Sequence, residues 1–273
     1  MRCMRSLVPM LTLSLSVSIW AASVDGVSIH STIRGAGPNT IVFVHGWTCD
    51  ESSWRDQVPF FEKNYRVITL DLPGHGRSGS PASGQLTMEL FARSIEAVRV
   101  EGKAGKIVLV GHSMGTPVIR QYARLYSSNV AALVPVDGVL HLSGSSGAPN
   151  PDRMKGPEGL KNRETMIRGM FGKSATPALQ EHILKMMLAA PETTAYQAMV
   201  ATFASPNWTD ETLAVPALGI YADHSFANDP AYFKKIFPNG STVEVPGTGH
   251  FVRMEKPAEF NKLLADFLPQ AKF

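Results

Sequence analysis

The chain of 273 residues has few crosslinking groups and little net charge with which to attract a polyanion. Its two cysteines, Cys3 and Cys49, cannot build a disulfide framework. Lysine plus arginine total 26 against 23 aspartates and glutamates, a formal charge of +3 that is too weak and too evenly spread for a nucleic-acid footprint. The sequence has no internal repeat and no low-complexity tract. No apolar run reaches the roughly 20 residues that a bilayer-spanning helix needs. What is there, 44% hydrophobic and 18% charged residues, suffices for one substantial core and excludes disordered and collagen-like chains.

At the amino terminus, Arg2 and Arg5 precede the uncharged run 7–20, and Ala21-Ala22-Ser23 follows with small side chains. A basic start, a short apolar stretch and a small-residue junction read as a secretory leader over residues 1–23, with an uncleaved anchor as the alternative. Cleavage removes Cys3 and lowers the formal charge to +1. The expected location is then periplasmic or secreted, with no stable membrane insertion once the leader is gone. Cys49, left alone, is read as a buried inert thiol rather than an oxidant sensor.

Beyond residue 40 the pattern alternates. Residues 41–44, 67–70 and 107–110 are nearly pure apolar runs, as expected of strands covered on both faces. Residues 131–136, 217–221 and 242–245 read as further strands, and 27–33 as an edge strand. Residues 88–100, 115–126 and 258–268 carry apolar side chains at three- and four-residue spacing, the signature of amphipathic helices. This alternation predicts an α/β fold with a doubly wound, mostly parallel sheet. From about residue 140 to 212 it breaks off. Residues 143–151 form a Gly/Ser/Pro loop, Thr176 and Pro177 cap a helix bearing Leu179, Ile183, Met186 and Met187, and Pro191 starts another bearing Tyr196, Met199, Val200 and Phe203. Residues 140–212 are therefore expected as a helical cap over a core of residues 24–139 and 213–273.

The chemistry concentrates where a strand meets Gly111-His112-Ser113-Met114-Gly115 and then a helix. Glycines two before and two after the serine permit a sharp turn that lifts its hydroxyl above the sheet edge, so Ser113 is the expected nucleophile. His45-Gly46-Trp47 follows the first apolar strand, and the amides of Trp47 and Met114 are the expected donors to a developing oxyanion. His45 itself is read as a structural residue of that turn. Of the eight histidines, His250 follows the last strand in Pro246-Gly247-Thr248-Gly249-His250-Phe251, where a loop can swing an imidazole over Ser113. The order nucleophile, acid, histidine fits this architecture. His75 belongs to a rigid turn; His30, His141, His182 and His224 are assigned to surface or lid, with His141 a candidate for the pocket wall.

His45-Gly46 with Trp54 after it, Asp71-Leu72-Pro73-Gly74-His75-Gly76-Arg77-Ser78, the serine pentapeptide, and Gly247-Thr248-Gly249-His250-Phe251 leading to Glu255-Lys256-Pro257 occur in that order. Through them the chain resembles the α/β-hydrolase superfamily over nearly all of the sequence after the leader. The resemblance implies a Ser-His-acid triad, no cofactor and no metal, and a cap between the sixth and seventh strands of the family's numbering. The acid departs from the commonest pattern, because the usual position after the seventh strand falls on Ser225, with Asp223 two residues early. Asp137, in Val136-Asp137-Gly138 after the sixth strand, is favoured, and Asp223 is the alternative. The expected activity is hydrolysis of a small hydrophobic ester, thioester, lactone or amide through an acyl-enzyme, with Met170, Phe171, Met186, Met187, Met199, Phe203 and Trp208 offered by the lid. Cofactor-free perhydrolysis, carbon–carbon hydrolysis and a low-turnover ligand receptor are the other readings. The expected partner is a small molecule, not a nucleic acid.

Overall fold

The computed structural model describes residues 18–141, 149–204, 208 and 210–273. Its strands are β1 (Ser18–Val24), β2 (Val27–Arg34), β3 (Thr40–Val44), β4 (Arg66–Leu70), β5 (Ile107–His112), β6 (Val130–Val136), β7 (Leu218–Ala222) and β8 (Ser241–Val245). They form one sheet in the order β1-β2-β4-β3-β5-β6-β7-β8. From β4 to β8 in that order all neighbours are parallel, while β2 is antiparallel to both β1 and β4. Every residue of β3, β5, β6 and β7 is buried, which is why these segments are unbroken apolar runs.

The helices are α1 (Val58–Phe61), α2 (Met88–Glu101), α3 (Gly115–Leu125), α4 (Gly159–Arg168), α5 (Pro177–Leu188), α6 (Glu192–Phe203), α7 (Pro230–Ile236), α8 (Val252–Glu255) and α9 (Pro257–Phe267). Side chains alternate across the strands into two cores. Val42, Val44 and Leu109 pack with Phe91, Ile95 and Ile119 on one face, and Ile41, Phe43 and Val110 with Trp54, Phe61 and Phe260 on the other. Among the described residues no helix is long and apolar enough to cross a membrane.

One edge of the sheet differs from the expectation. The segment read as an edge strand is β2, the second strand, and β1 lies outside it, paired from Ser18↔Ile33 to Val24↔Val27. Asp25 and Gly26, both left-handed at φ 50° and 78°, make the turn between them. The leader pattern and a strand compete for residues 18–23, since both are apolar, so periodicity gave no sign of β1. The expected junction near Ser23 falls inside this strand, and residues 1–17 lie outside the described residues.

β3 connects to β4 on one side of it, and the chain then crosses over through α2 to reach β5 on the other. At such a switch point the loops leaving the two strands diverge and open a crevice at their carboxyl ends. Between β6 and β7 the described residues form α4, α5 and α6 and no strand. The hydroxyl of Thr176 accepts from the Leu179 amide at 3.3 Å and caps α5. α6 is tied to the crevice by Thr194 Oγ1, which donates to Gly74 O at 2.7 Å, and by its Ala195 carbonyl, which accepts from Trp47 Nε1 at 2.8 Å.

Three buried histidines brace these loops. His45 Nε2 accepts from the Leu72 amide at 3.0 Å, so its hydrogen lies on Nδ1 and is donated to Gly46 O at 2.8 Å. His75, whose ring centre lies 5.0 Å from that of His45, donates from Nδ1 to Pro73 O at 3.0 Å. The third is His112, at the end of β5. Burial holds all three neutral, aided at His112 by the charge of buried Arg253, and it pushes His75 down to about 3. In the unfolded chain such a ring titrates near 6.5. Unfolding therefore takes up a proton between pH 6.5 and about 3. Stability is full above that window and falls, from His75 alone, by about 1.4 kcal/mol per pH unit below its upper limit. Thermal unfolding followed from neutral to acid pH is expected to show a shallower acid loss in His75→Asn than in wild type; identical slopes refute a neutral His75.

Candidate active site

β5 ends at His112 and α3 begins at Gly115, which leaves two residues for the turn. Ser113 takes it at φ 53°, a left-handed conformation that costs a non-glycine residue about 1–2 kcal/mol. The flanking glycines make it feasible. A Cβ on Gly111 would lie 2.4 Å from Gly115 O, and one on Gly115 would lie 2.7 Å from Val44 O. The turn is pinned by the Ser113 amide, which donates to Val136 O at 2.8 Å, and by Thr116 N–H on Ser113 O at 2.9 Å. The Ser113 hydroxyl has no partner among the described residues and faces a cavity of about 670 Å³.

His250 lies between β8 and α8, and both ends of its backbone are held. Its amide donates to Met170 O at 2.8 Å, and its carbonyl accepts from His112 Nε2 at 2.8 Å. Its Nδ1 lies 2.6 Å from Asp137 Oδ2. Asp137, itself left-handed at φ 42°, is buried directly after β6, and its other oxygen accepts from the Ala222 amide at 2.9 Å. The next residue must be glycine, since a Cβ on Gly138 would come within 2.2 Å of Thr116 Oγ1. The second carboxylate that the sequence offered, Asp223, is otherwise engaged. Its Oδ2 accepts from the Gly247 amide at 2.9 Å, and its Oδ1 lies 3.5 Å from exposed His224.

The loop after β3 passes against the serine turn, and a Cβ on Gly46 would lie 2.8 Å from His112 Nδ1 and 3.1 Å from Ser113 Cβ. Trp47 and Met114 line the cavity beside Ser113. Neither of their amides meets an acceptor among the described residues, so two donors stand open next to the hydroxyl. Met170, Phe171, Met199 and Phe203 form apolar wall. Met186 and Met187 do not join them: Met187 is core, and Met186 lies against Ser52 Oγ in a separate cavity. Trp208 stacks on Phe203 from behind, at 6.4 Å between ring centres. Cys49 is buried, and burial pushes its thiol up to about 12, so it is inert.

A second polar wall carries His141, which the sequence suggested, and Asp229 and the 90% exposed Phe226, which it did not. Asp229 caps α7 by accepting from the Tyr232 amide at 2.9 Å, and the pattern Asp229-Pro230 is the signal that would have placed a helix start there. Among the described residues, Asp223, His224 and Glu244 bring metal-donor atoms within 4.8 Å of one another. They are half-buried to exposed, and two are engaged in loop contacts, Asp223 with Gly247 and Glu244 with Asn228.

The segment bearing α4 meets the loop bearing His250 without side chains between. A Cβ on Gly172 would lie 2.0 Å from Gly249 N, and one on Gly249 would lie 2.2 Å from Gly172 N. Buried Glu255 accepts from both amides, at 3.3 Å and 2.9 Å.

This arrangement has known counterparts. The sequence profile of the alpha/beta hydrolase family matches residues 41–263. The chain is 24% identical over 249 residues to the (E)-2-((N-methylformamido)methylene)succinate hydrolase of Acinetobacter baylyi, covering 88% of this chain and 93% of that protein. It is 26% identical over 268 residues to the 2-hydroxy-6-oxononadienedioate/2-hydroxy-6-oxononatrienedioate hydrolase of Paraburkholderia phymatum, covering 89% and 91%. A thermophilic esterase from Thermogutta terrifontis superposes with a TM-score of 0.82 at 25% identity, over 93% of this chain and 98% of that one. With the profile spanning most of its length and hydrolases among its relatives, the chain belongs to the alpha/beta hydrolase family and is an enzyme of that type.

Proposed function

We propose that the protein is a serine hydrolase that cleaves a small, largely apolar ester, thioester, lactone or amide through an acyl-enzyme, with Ser113 as nucleophile, His250 as base and Asp137 as acid. The observation that carries this reading is the 2.6 Å contact between Asp137 and His250 Nδ1 in the cavity that holds the left-handed serine. With Nδ1–H donated to Asp137, Nε2 is left bare. It takes the proton from the Ser113 hydroxyl as Oγ attacks the carbonyl carbon. The amides of Trp47 and Met114 receive the oxyanion. His250 then protonates the leaving group, deprotonates a water that attacks the acyl-serine, and returns the proton to Ser113 as the acid departs. The open Ser113 hydroxyl is consistent with this, because the serine–histidine hydrogen bond of such sites often tightens only around substrate.

The methionine and phenylalanine wall supports a small apolar acyl group. The Paraburkholderia relative's name favours carbon–carbon hydrolysis as a second reading on the same groups. Perhydrolysis would use them too, and a receptor would bind without turning over. The helices between β6 and β7 are read as the cap, and residues 1–23 as the export signal. Sequencing the amino terminus of the exported protein tests the latter: a start near Ser23 supports it, and an intact Met1 in that fraction refutes it.

A fluorophosphonate probe is expected to label the wild type rapidly and to fail on Ser113→Ala and His250→Ala; folded wild-type protein that takes up no label sinks the serine mechanism. Asp137→Asn is expected to lower kcat on p-nitrophenyl esters by about 10⁴-fold, while Asp223→Asn costs less than about tenfold. The opposite ranking would transfer the role of acid to Asp223.

A further inference from the structure

The cavity that holds Ser113 has a polar wall that hydrolysis itself does not use. His141 follows Asp137 by four residues on the way out of β6, and Asp229 caps α7; both line the cavity. His141 Nε2 lies 3.1 Å from Asp229 Oδ2, and its ring stacks on Tyr232 with centres 3.9 Å apart and planes 27° apart. Tyr232 is held in turn by its amide on Asp229 Oδ1 and by its hydroxyl, which donates to Asp210 at 2.6 Å. The imidazole is thus fixed by a stack and a hydrogen bond. An ionised carboxylate only accepts, so the hydrogen sits on Nε2, and in the neutral ring Nδ1 is left as an acceptor. No described residue donates to it.

The charge of this wall points the same way. The described residues lining the cavity include Asp137, Asp223 and Asp229 and no lysine or arginine. Residues 142–148, 205–207 and 209, which lie outside the described residues between β6 and β7, include none either. Asp137 is engaged with His250, and the Tyr232 amide and His141 hold the Asp229 carboxyl below the usual carboxylate range, so it is ionised at neutral pH. A carboxylate on the substrate would enter beside two further aspartates and meet no lysine or arginine among the described residues lining the cavity, so like charge disfavours it.

We propose that this site selects uncharged acyl compounds whose end remote from the scissile carbonyl carries a hydrogen-bond donor, an amide N–H or a hydroxyl, received by Nδ1 of His141, and that it turns carboxylate-bearing compounds away. The inference rests on Ser113 marking the reacting end.

Three p-nitrophenyl monoesters of adipic acid that differ only at the far terminus test it: an N-methylamide, a methyl ester and a free carboxylate. For wild type at neutral pH, kcat/KM is expected to be about threefold or more higher for the amide than for the methyl ester, the size of one hydrogen bond. For the carboxylate it is expected to be about tenfold or more lower than for the methyl ester. In His141→Phe, which keeps a ring on Tyr232, the amide is expected to lose its advantage. The same ranking is read as binding to Ser113→Ala through quenching of Trp47 fluorescence, which needs no turnover. A failed serine mechanism would show as no p-nitrophenolate release and no fluorophosphonate label in wild type, while the binding order still decides selectivity. A carboxylate bound or cleaved as well as the methyl ester, or an amide advantage that survives in His141→Phe, overturns the proposal.

Discussion

The Asp137–His250 contact joins residues 113 positions apart, and it sits where the sheet is thinnest. β6 and β7 are separated in the chain by the α4–α6 segment, and they pair through Val136↔Ile220 and a bridge at Leu133↔Ala217, far fewer pairs than β5 makes with β6. Asp137 lies at the mouth of that seam. Its amide donates to Ile220 O, one carboxylate oxygen receives the Ala222 amide, and the other meets His250 beyond β8. A single buried carboxylate thus closes three strand ends. Its left-handed backbone persists because those bonds over-determine it.

The geometry around Ser113 and His250 is accordingly a property of backbone packing more than of side-chain reach. His250 is held at both its amide and its carbonyl, Ser113 by the strand beside it, and Trp47 by a loop that runs against His112. Buried neutral histidines make this possible, because a neutral imidazole offers one donor and one acceptor to a loop without requiring a counterion. The same choice ties the fold to pH, since charging a buried ring without a counterion costs stability, and at His45 it would also remove the acceptor that holds the Leu72 amide.

The elements buried on both faces were legible as apolar runs, and the serine turn was legible because only glycine tolerates its close approaches. Fold class and doubly wound topology followed from the alternation of such runs with amphipathic helices, and the family from the serine turn together with three further motifs in order, at His45-Gly46, residues 71–78 and residues 247–251. β1 was hidden by a leader-like composition, α4 and α7 by short, polar or weakly periodic sequences. The choice between Asp137 and Asp223 could not be read from spacing, because β6 and β7 are adjacent and both strand ends lie near the loop bearing His250. In three dimensions the two differ by what their oxygens already hold: Asp223 is engaged with Gly247, whereas Asp137 has one oxygen on His250. Met186 and Met187 show the converse failure, since periodicity tells which face of α5 is apolar but not whether that face looks into a cavity or into the core.

The paired glycines at 172 and 249 set the boundaries within which this enzyme can diversify. Because the two backbones touch and Glu255 binds both amides, the α4 segment and the loop bearing His250 are fastened to each other. A library aimed at new specificities has freedom at Met166, Met199, Phe203 and Phe226, which line the cavity away from this junction. One methyl group added at either glycine would meet the other's backbone amide at 2.0 or 2.2 Å, so the segment that shapes the pocket is also the mount on which the imidazole beside Asp137 is aligned.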